Sequence, residues 1–362
     1  MDSPAIPVMR PRLPDADALL PYLRRIDQTR VYSNMGPLAR QLADILGAHF
    51  HCPAHPLANA TLGLAIALMA MGPPAGSLCM VPSWTFAASA HAIILAGMVP
   101  FLVDVDEASG MLVPEMAADF LPRAPGHVGA IMPVSAFGHP VDIAGWQDFR
   151  ARHGLAVVVD AAAGFDTAQG GDLPVVISLH ATKVLGAGEG AFILCRDTDL
   201  LHRCATTSNF GFSADRQASM AGMNAKLSEY HAAVALAAIE RWPQDRGHIM
   251  ALTRKLAETL PQTAGWRGEV TRAFAANTLN LEFPSGWQAA EARFAAAAIE
   301  TRRWWGGGLH RHPAFRHCPH LPMPETDRRA DLTLGLPFHG DLDGVALRRI
   351  ADVARACLDD QP

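Results

Sequence analysis

Two neighbouring stretches decide the fold: Val157-Val158-Val159-Asp160-Ala161-Ala162 and Val175-Val176-Ile177-Ser178-Leu179-His180-Ala181-Thr182-Lys183. Each is a run apolar on both faces, where a half-exposed antiparallel strand would alternate. Each ends on small or polar residues that include ionisable groups, Asp160 in the first and His180 and Lys183 in the second. The first run begins at residue 155, and similar runs lie outward at residues 78–81, 99–105, 128–134 and 191–195. Helical patterns separate them at residues 57–71, 85–96 and 142–153. Buried strands alternating with helices imply an α/β fold, with a mostly parallel sheet covered by helices on both faces.

The pattern changes after Glu229. An alanine-rich helix runs to about Trp242, then a strand at residues 278–283, a helix at 287–299 and a closing helix at 345–357. We therefore expect a large domain over residues 1–240 and a smaller C-terminal α+β domain over 241–362.

Composition removes several classes of function. Thirty Lys and Arg stand against 35 Asp and Glu, a formal net charge of −5, which gives no basic footprint for nucleic acid. The most apolar stretch, residues 92–103, contains Gly97 and Pro100 and falls short of the roughly 20 residues a membrane span needs. Met1-Asp2-Ser3-Pro4 lacks the basic start of a signal peptide, and the six cysteines are scattered with no CxxC pair. Both features predict a cytoplasmic protein. Only 18% of residues are charged while 50% are hydrophobic, which calls for a large core, an oligomer interface, or both.

In open α/β sheets the chemistry gathers at the carboxyl ends of strands. Asp160 reads either as a turn cap or as an acid paired with a cationic ligand group. Lys183 precedes Gly186-Ala187-Gly188-Glu189-Gly190, where small residues let backbone approach a ligand. A lysine in a poorly solvated pocket keeps a free amine that can form a Schiff base. The glycines are not a dinucleotide fingerprint, because a strand rather than a helix follows them. Asn59-Ala60-Thr61 opens a helix and suits a phosphate or plain capping. Pro82-Ser83-Trp84-Thr85-Phe86 places aromatic residues just after a strand. Together these describe a phosphate, an aromatic ring with a basic nitrogen and an aldehyde awaiting an amine. Those are the parts of pyridoxal 5′-phosphate.

Over about residues 32–337 the chain resembles the DegT/DnrJ/EryC1/StrS group of fold-type I pyridoxal-phosphate enzymes, the sugar aminotransferases. The matching stretches include Ser33-Asn34-Met35-Gly36-Pro37, Val103-Asp104-Val105-Asp106, Gly188-Glu189-Gly190 and Gly222-Met223-Asn224-Ala225-Lys226-Leu227-Ser228-Glu229, beside those quoted above. The resemblance implies a seven-stranded-type sheet and the following roles. Lys183 forms the Schiff base and moves the proton. Asp160 holds the ring nitrogen protonated, and Phe86 stacks on the ring. The backbone of Ala60 and Thr61, with the Ser178 hydroxyl, binds phosphate. Asn224 reaches that phosphate from a neighbouring subunit, which makes a homodimer with shared active sites. Tyr32, Asn34, Gly36 and Pro37 belong to a loop near a nucleotide-sugar substrate. Glu189, Arg303, His310 and His312 join the substrate side, with Arg303 suited to a diphosphate.

Three positions depart from or qualify the pattern. Ala60 stands where Gly is frequent, and Ala191 follows Glu189-Gly190 in place of a further Gly. Ala163 stands where Gln or His often contacts the ring's hydroxyl side, leaving that contact to His180 or water. The lysine is retained, whereas the dehydrating branch carries His there.

The implied activity is transfer of an amino group from an amino acid, glutamate, to a nucleotide-linked 4-keto-6-deoxyhexose. The alternatives are a non-nucleotide ketone such as a cyclitol, or a cofactor-binding regulatory relative without turnover. Ser178, His180 and Asp160 do not make a hydrolase triad, since no G-x-S-x-G surrounds the serine. The histidines at 310, 312, 317 and 320, with Cys318, match no zinc spacing, and prolines interrupt them, so no metal is expected.

Overall fold

A computed structural model describes residues 4–213, 216–260 and 273–359. Its strands are β1 (Ala54–Leu57), β2 (Leu78–Pro82), β3 (Val99–Val103), β4 (Val128–Ile131), β5 (Ala156–Val157), β6 (Val159–Asp160), β7 (Val175–Ser178), β8 (Ala191–Leu194), β9 (Leu279–Glu282) and β10 (Thr333–Leu336). One four-stranded run has the order β3-β2-β4-β5 and is parallel throughout. A second has the order β1-β8-β7-β6. The two meet because β5 and β6 are one strand interrupted at Val158, whose N–H still donates to Ile131 O at 3.1 Å. Val134 also bridges Asp160. The result is a seven-position layer in which β8 alone runs against its neighbours β7 and β1. The fold is thus the mostly parallel α/β sheet expected from the apolar runs. The reversal at β8 lets a short connection carry Lys183 between β7 and β8, where a parallel pair would need a long crossover.

The helices are α1 (Ala16–Thr29), α2 (Pro37–Phe50), α3 (Ala60–Met71), α4 (Ala87–Leu95), α5 (Pro114–Phe120), α6 (Ile143–His153), α7 (Thr198–Ser208), α8 (Glu229–Thr259), α9 (Trp287–Ala296), α10 (Pro324–Leu332) and α11 (Gly344–Asp359). Helices α2, α6 and α8 close one face of the sheet around Leu42, Trp146, Phe149 and Leu236. Helices α3 and α4 close the other around Leu64, Ile66, Leu68 and Ile93. Helix α3 is apolar all round, as a helix buried on every side should be. It lies so close to the sheet that a Cβ on Gly63 would come within 3.0 Å of Val176.

Two boundaries differ from the expectation. The pattern at 57–71 starts as the end of edge strand β1, and the helix begins only after the Asn59 cap. The helix expected to stop near Trp242 continues to Thr259 through Pro243. Pro243 is exposed, so its ring and missing N–H fall on the solvent side. Leu252 and Leu256 then reach a third core, shared with β9, β10, α9 and α11. Position 240 therefore lies inside one continuous helix.

Candidate active site

A cavity of about 890 Å³ opens where the carboxyl ends of β6 and β7 meet the N-termini of α3 and α4. Asp160 ends β6 and is 5% exposed. Its Oδ2 accepts a hydrogen bond from Ser89 Oγ at 2.7 Å, and its Oδ1 accepts from Ala162 N–H at 3.1 Å. Burial pushes this carboxyl above the usual range, while Ser89, Ala162 and Lys183 pull it back. Lys183 sits in the turn after β7, its N–H donating to His180 O at 2.8 Å. Gly186 shapes that turn: a Cβ there would lie 2.8 Å from Ala181 O. Burial lowers the Lys183 ammonium and Asp160 opposes the shift, leaving the amine closer to its nucleophilic form.

The opposite pole suits an anion. Asn59 Oδ1 accepts from Leu62 N–H at 2.9 Å and fixes the start of α3. The N–H groups of Ala60 and Thr61 precede the first intrahelical bond, Gly63 N–H to Asn59 O, so they point outward from the helix end. Buried Ser178 faces the same cavity, its Oγ accepting from His180 N–H at 3.2 Å. Phe86 stands at the mouth, 61% exposed. His180 pairs its Nδ1 with Thr182 Oγ1 at 2.8 Å, and its Nε2 lies 3.8 Å from Glu189. The structure thus brings Ala60, Thr61, Phe86, Asp160, Ser178, His180, Lys183 and Glu189 to one cavity.

These residues fit pyridoxal 5′-phosphate. Among the described residues no Arg or Lys forms an ion pair with Asp160, and a buried carboxylate calls for a cationic partner such as a protonated ring nitrogen. An amine, an aromatic face and a helix N-terminus surround it, which are the remaining contacts the cofactor requires.

Eight expected substrate or phosphate residues do not line this cavity in the single chain: Tyr32, Asn34, Gly36, Pro37, Asn224, Arg303, His310 and His312. Gly36 and Pro37 start α2 against the buried Glu229 carboxylate, which accepts from Leu38 N–H at 2.8 Å and Ala39 N–H at 2.9 Å. A Cβ on Gly36 would sit 2.5 Å from Glu229 Cδ, so close approach explains this glycine. Asn34 and Met35 reach that start in the left-handed region. Tyr32 stacks on Tyr230 at 6.3 Å, both exposed, and Asn224 is exposed in a bridge to Asn209.

Arg303 lies over Trp287 at 4.0 Å and donates to Gly306 O and Ala330 O, each at 3.0 Å. Arg302 takes its place at the cavity, with Trp304 and Trp305. The cause is the antiparallel bridge between Arg302 and Gly335, since successive side chains of extended backbone point to opposite faces. His310 joins Ser83 Oγ at 2.8 Å through Nδ1 and Asp327 Oδ1 at 3.0 Å through Nε2, pinning its loop to α10. Ser83 is fully buried, so this Ser–His–Asp order is structural. His312 stacks against Phe315 at 6.3 Å. Among the described residues no group of His, Cys, Asp or Glu gathers to hold a metal.

The sequence points to the segment Thr301-Arg302-Arg303-Trp304-Trp305, with arginine for a diphosphate and tryptophan for stacking, but favours Arg303 over Arg302; Ser89, Asn277 and Thr278 were missed. Ser89 left a usable signal, lying four residues after Thr85 in the largely apolar stretch 85–96.

The sequence matches the DegT/DnrJ/EryC1/StrS aminotransferase family over residues 15–355. The Mycobacterium tuberculosis protein Rv3402c is 31% identical, the alignment covering 86% of this chain and 79% of that one. A dTDP-4-amino-4,6-dideoxy-D-glucose transaminase of Shigella dysenteriae is 32% identical over 64% of each chain. Among solved structures, DesI in the presence of its TDP-sugar product superposes with a TM-score of 0.87 at 27% identity, covering 99% of this chain and 94% of that one. A PLP-dependent aminotransferase fold from Bacillus cereus matches with a TM-score of 0.89 at 24% identity, covering 96% and 99%. The chain belongs to the DegT/DnrJ/EryC1/StrS aminotransferase family, pyridoxal-phosphate-dependent sugar aminotransferases of fold type I.

Proposed function

We propose that this enzyme transfers an amino group from an amino acid, glutamate, to the keto group of a nucleotide-linked 4-keto-6-deoxyhexose, as a homodimer in the cytoplasm. The observation that carries the reading is the convergence of Lys183 and Asp160 in a cavity walled by Phe86, Arg302, Trp304 and Trp305. The sugar class is supported by relatives named for a dTDP-4-amino-4,6-dideoxy-D-glucose transaminase and a UDP-2-acetamido-2-deoxy-3-oxo-D-glucuronate aminotransferase. The free state of all six cysteines supports a reducing compartment. No helix among the described residues is long and apolar enough to cross a membrane.

Pyridoxal 5′-phosphate, when bound, supplies an electron sink and an aldehyde that carries the amino group. Asp160 holds the proton on the ring nitrogen. Ala60 N–H, Thr61 N–H and the Ser178 hydroxyl hold the phosphate. Phe86 covers one ring face and excludes water. Lys183 would hold the cofactor through its amine, and its free amine would serve as the general base and acid that moves the substrate proton. Arg302 offers its guanidinium to an anionic group of the incoming substrate. Asn224, exposed and outside its own cavity, completes the phosphate site of the partner subunit.

The test is to load the enzyme with pyridoxamine 5′-phosphate and offer a dTDP-4-keto-6-deoxyhexose or a cyclitol ketone. Mass spectrometry should find the aminated nucleotide sugar. Amination of the cyclitol alone would replace the substrate reading, and no product from either would favour a binding protein without turnover.

A further inference from the structure

A buried polar chain that runs behind the cavity floor plays no part in the reading above. Ser89 Oγ donates to Asp160 Oδ2 at 2.7 Å, and Thr85 Oγ1 lies 2.9 Å from Ser89 Oγ. All three are buried, Ser89 fully and Thr85 at 1% exposure. The direction of the chain follows from charge. A carboxylate can only accept, so the single Ser89 proton is committed to Asp160, and Thr85 must donate to Ser89.

We propose that Thr85 and Ser89 are positioning residues: a two-hydroxyl relay that holds Asp160 as a correctly aimed carboxylate beneath the ring nitrogen. This inference rests on the reading of Asp160 as the ring-nitrogen partner. Local structure supports it. Thr85 N–H is turned back onto Ser83 O at 3.0 Å, and Ser89 N–H bonds to Phe86 O at 3.2 Å, so both hydroxyls are fixed by the turn that starts α4. The same turn presents Phe86 at the cavity mouth. Placement of the stacking ring and of the carboxylate is therefore tied to one segment. Lys183 is the charged side chain acting on Asp160, and it serves the aldehyde, so the relay at Oδ2 and the Ala162 N–H at Oδ1 are what remain to keep the acid ionised in its buried position. Hydrogen bonds to charged groups are stronger than neutral ones, and stronger still where water is excluded. A methyl in place of the hydroxyl is therefore felt at the ring.

The experiment uses holoenzyme reconstituted with pyridoxal 5′-phosphate labelled with nitrogen-15 in the ring, read by NMR at fixed pH. The wild type should give the protonated-ring shift. Ser89→Ala should lower the ratio of protonated to unprotonated ring by about tenfold, with Ser89→Thr restoring it. Thr85→Val, which keeps shape and removes the relay's outer donor, should move the signal the same way by less. If Ser89→Ala does not fold, Thr85→Val carries the test. A Ser89→Ala or Thr85→Val signal equal to wild type overturns the relay. An unprotonated ring in the wild type overturns instead the role assigned to Asp160.

Discussion

The floor and the outer wall of the cavity are built by different means. At the floor, Asp160, Ser89, Thr85, Ser178 and the α3 N-terminus come from strand ends and helix starts, and each is held by bonds within the chain. At the outer wall, Phe86 and Arg302 are exposed and face the cavity, while exposed Tyr32 and Asn224 lie away from it. The floor takes these groups from one chain. The wall holds groups that meet a substrate or a second subunit. Substitutions at the floor should change chemistry and fold stability, and substitution of Arg302 at the wall should change recognition.

The largest break should come from Lys183→Ala. Loss of the amine removes both nucleophile and proton carrier, and we expect transamination about 10²–10⁴-fold slower with the fold intact by circular dichroism. Retained rates would place the proton carrier elsewhere.

The next effect belongs to the sheet beneath the floor. His55 in β1 is buried, its Nε2 bonded to Ser208 Oγ at 3.0 Å, and burial lowers its pKa from 6.5 to about 4. The unfolded chain then takes the proton first as pH falls. Stability is complete above about 6.5 and is lost progressively toward pH 4, by about 3 kcal/mol for this group. Denaturant titrations from pH 7 to 4 should show a shallower acid loss in His55→Asn than in wild type. Identical slopes would remove His55 as the cause.

The wall provides the sharpest pairwise contrast. Arg302→Ala should reduce kcat/KM for the nucleotide sugar by roughly 10-fold or more while leaving Tm unchanged, as loss of a charged hydrogen bond to substrate would. Arg303→Ala should do the reverse. It loses the Trp287 contact and two carbonyl partners, and should lower stability by about 1–2 kcal/mol with KM unchanged. Swapped phenotypes would mean the register at the Gly335 bridge has been misassigned.

This contrast also explains what could be read from the sequence. Asp160 and Lys183 were legible because Asp160 ends a buried strand and Lys183 lies in the turn that follows one, and an ionisable group beside an apolar run calls for a partner. The helix cap at Asn59 and the small residues after Lys183 carried local geometry in their identities. Arg302 and Arg303 were not separable, since adjacent arginines differ only in which face a bridge to distant Gly335 assigns them. Gly36 and His310 were read toward substrate because their structural partners, Glu229 and Ser83 with Asp327, are remote in sequence. Helix α8 ran past Pro243 because a proline on the solvent side of a packed helix is tolerated, which composition does not reveal.

The most direct test of the central claim is borohydride reduction of the purified holoenzyme followed by peptide mapping. The account predicts a phosphopyridoxyl mass on the peptide containing Lys183 and on no other lysine. Its absence from Lys183, or its presence elsewhere, would contradict the site.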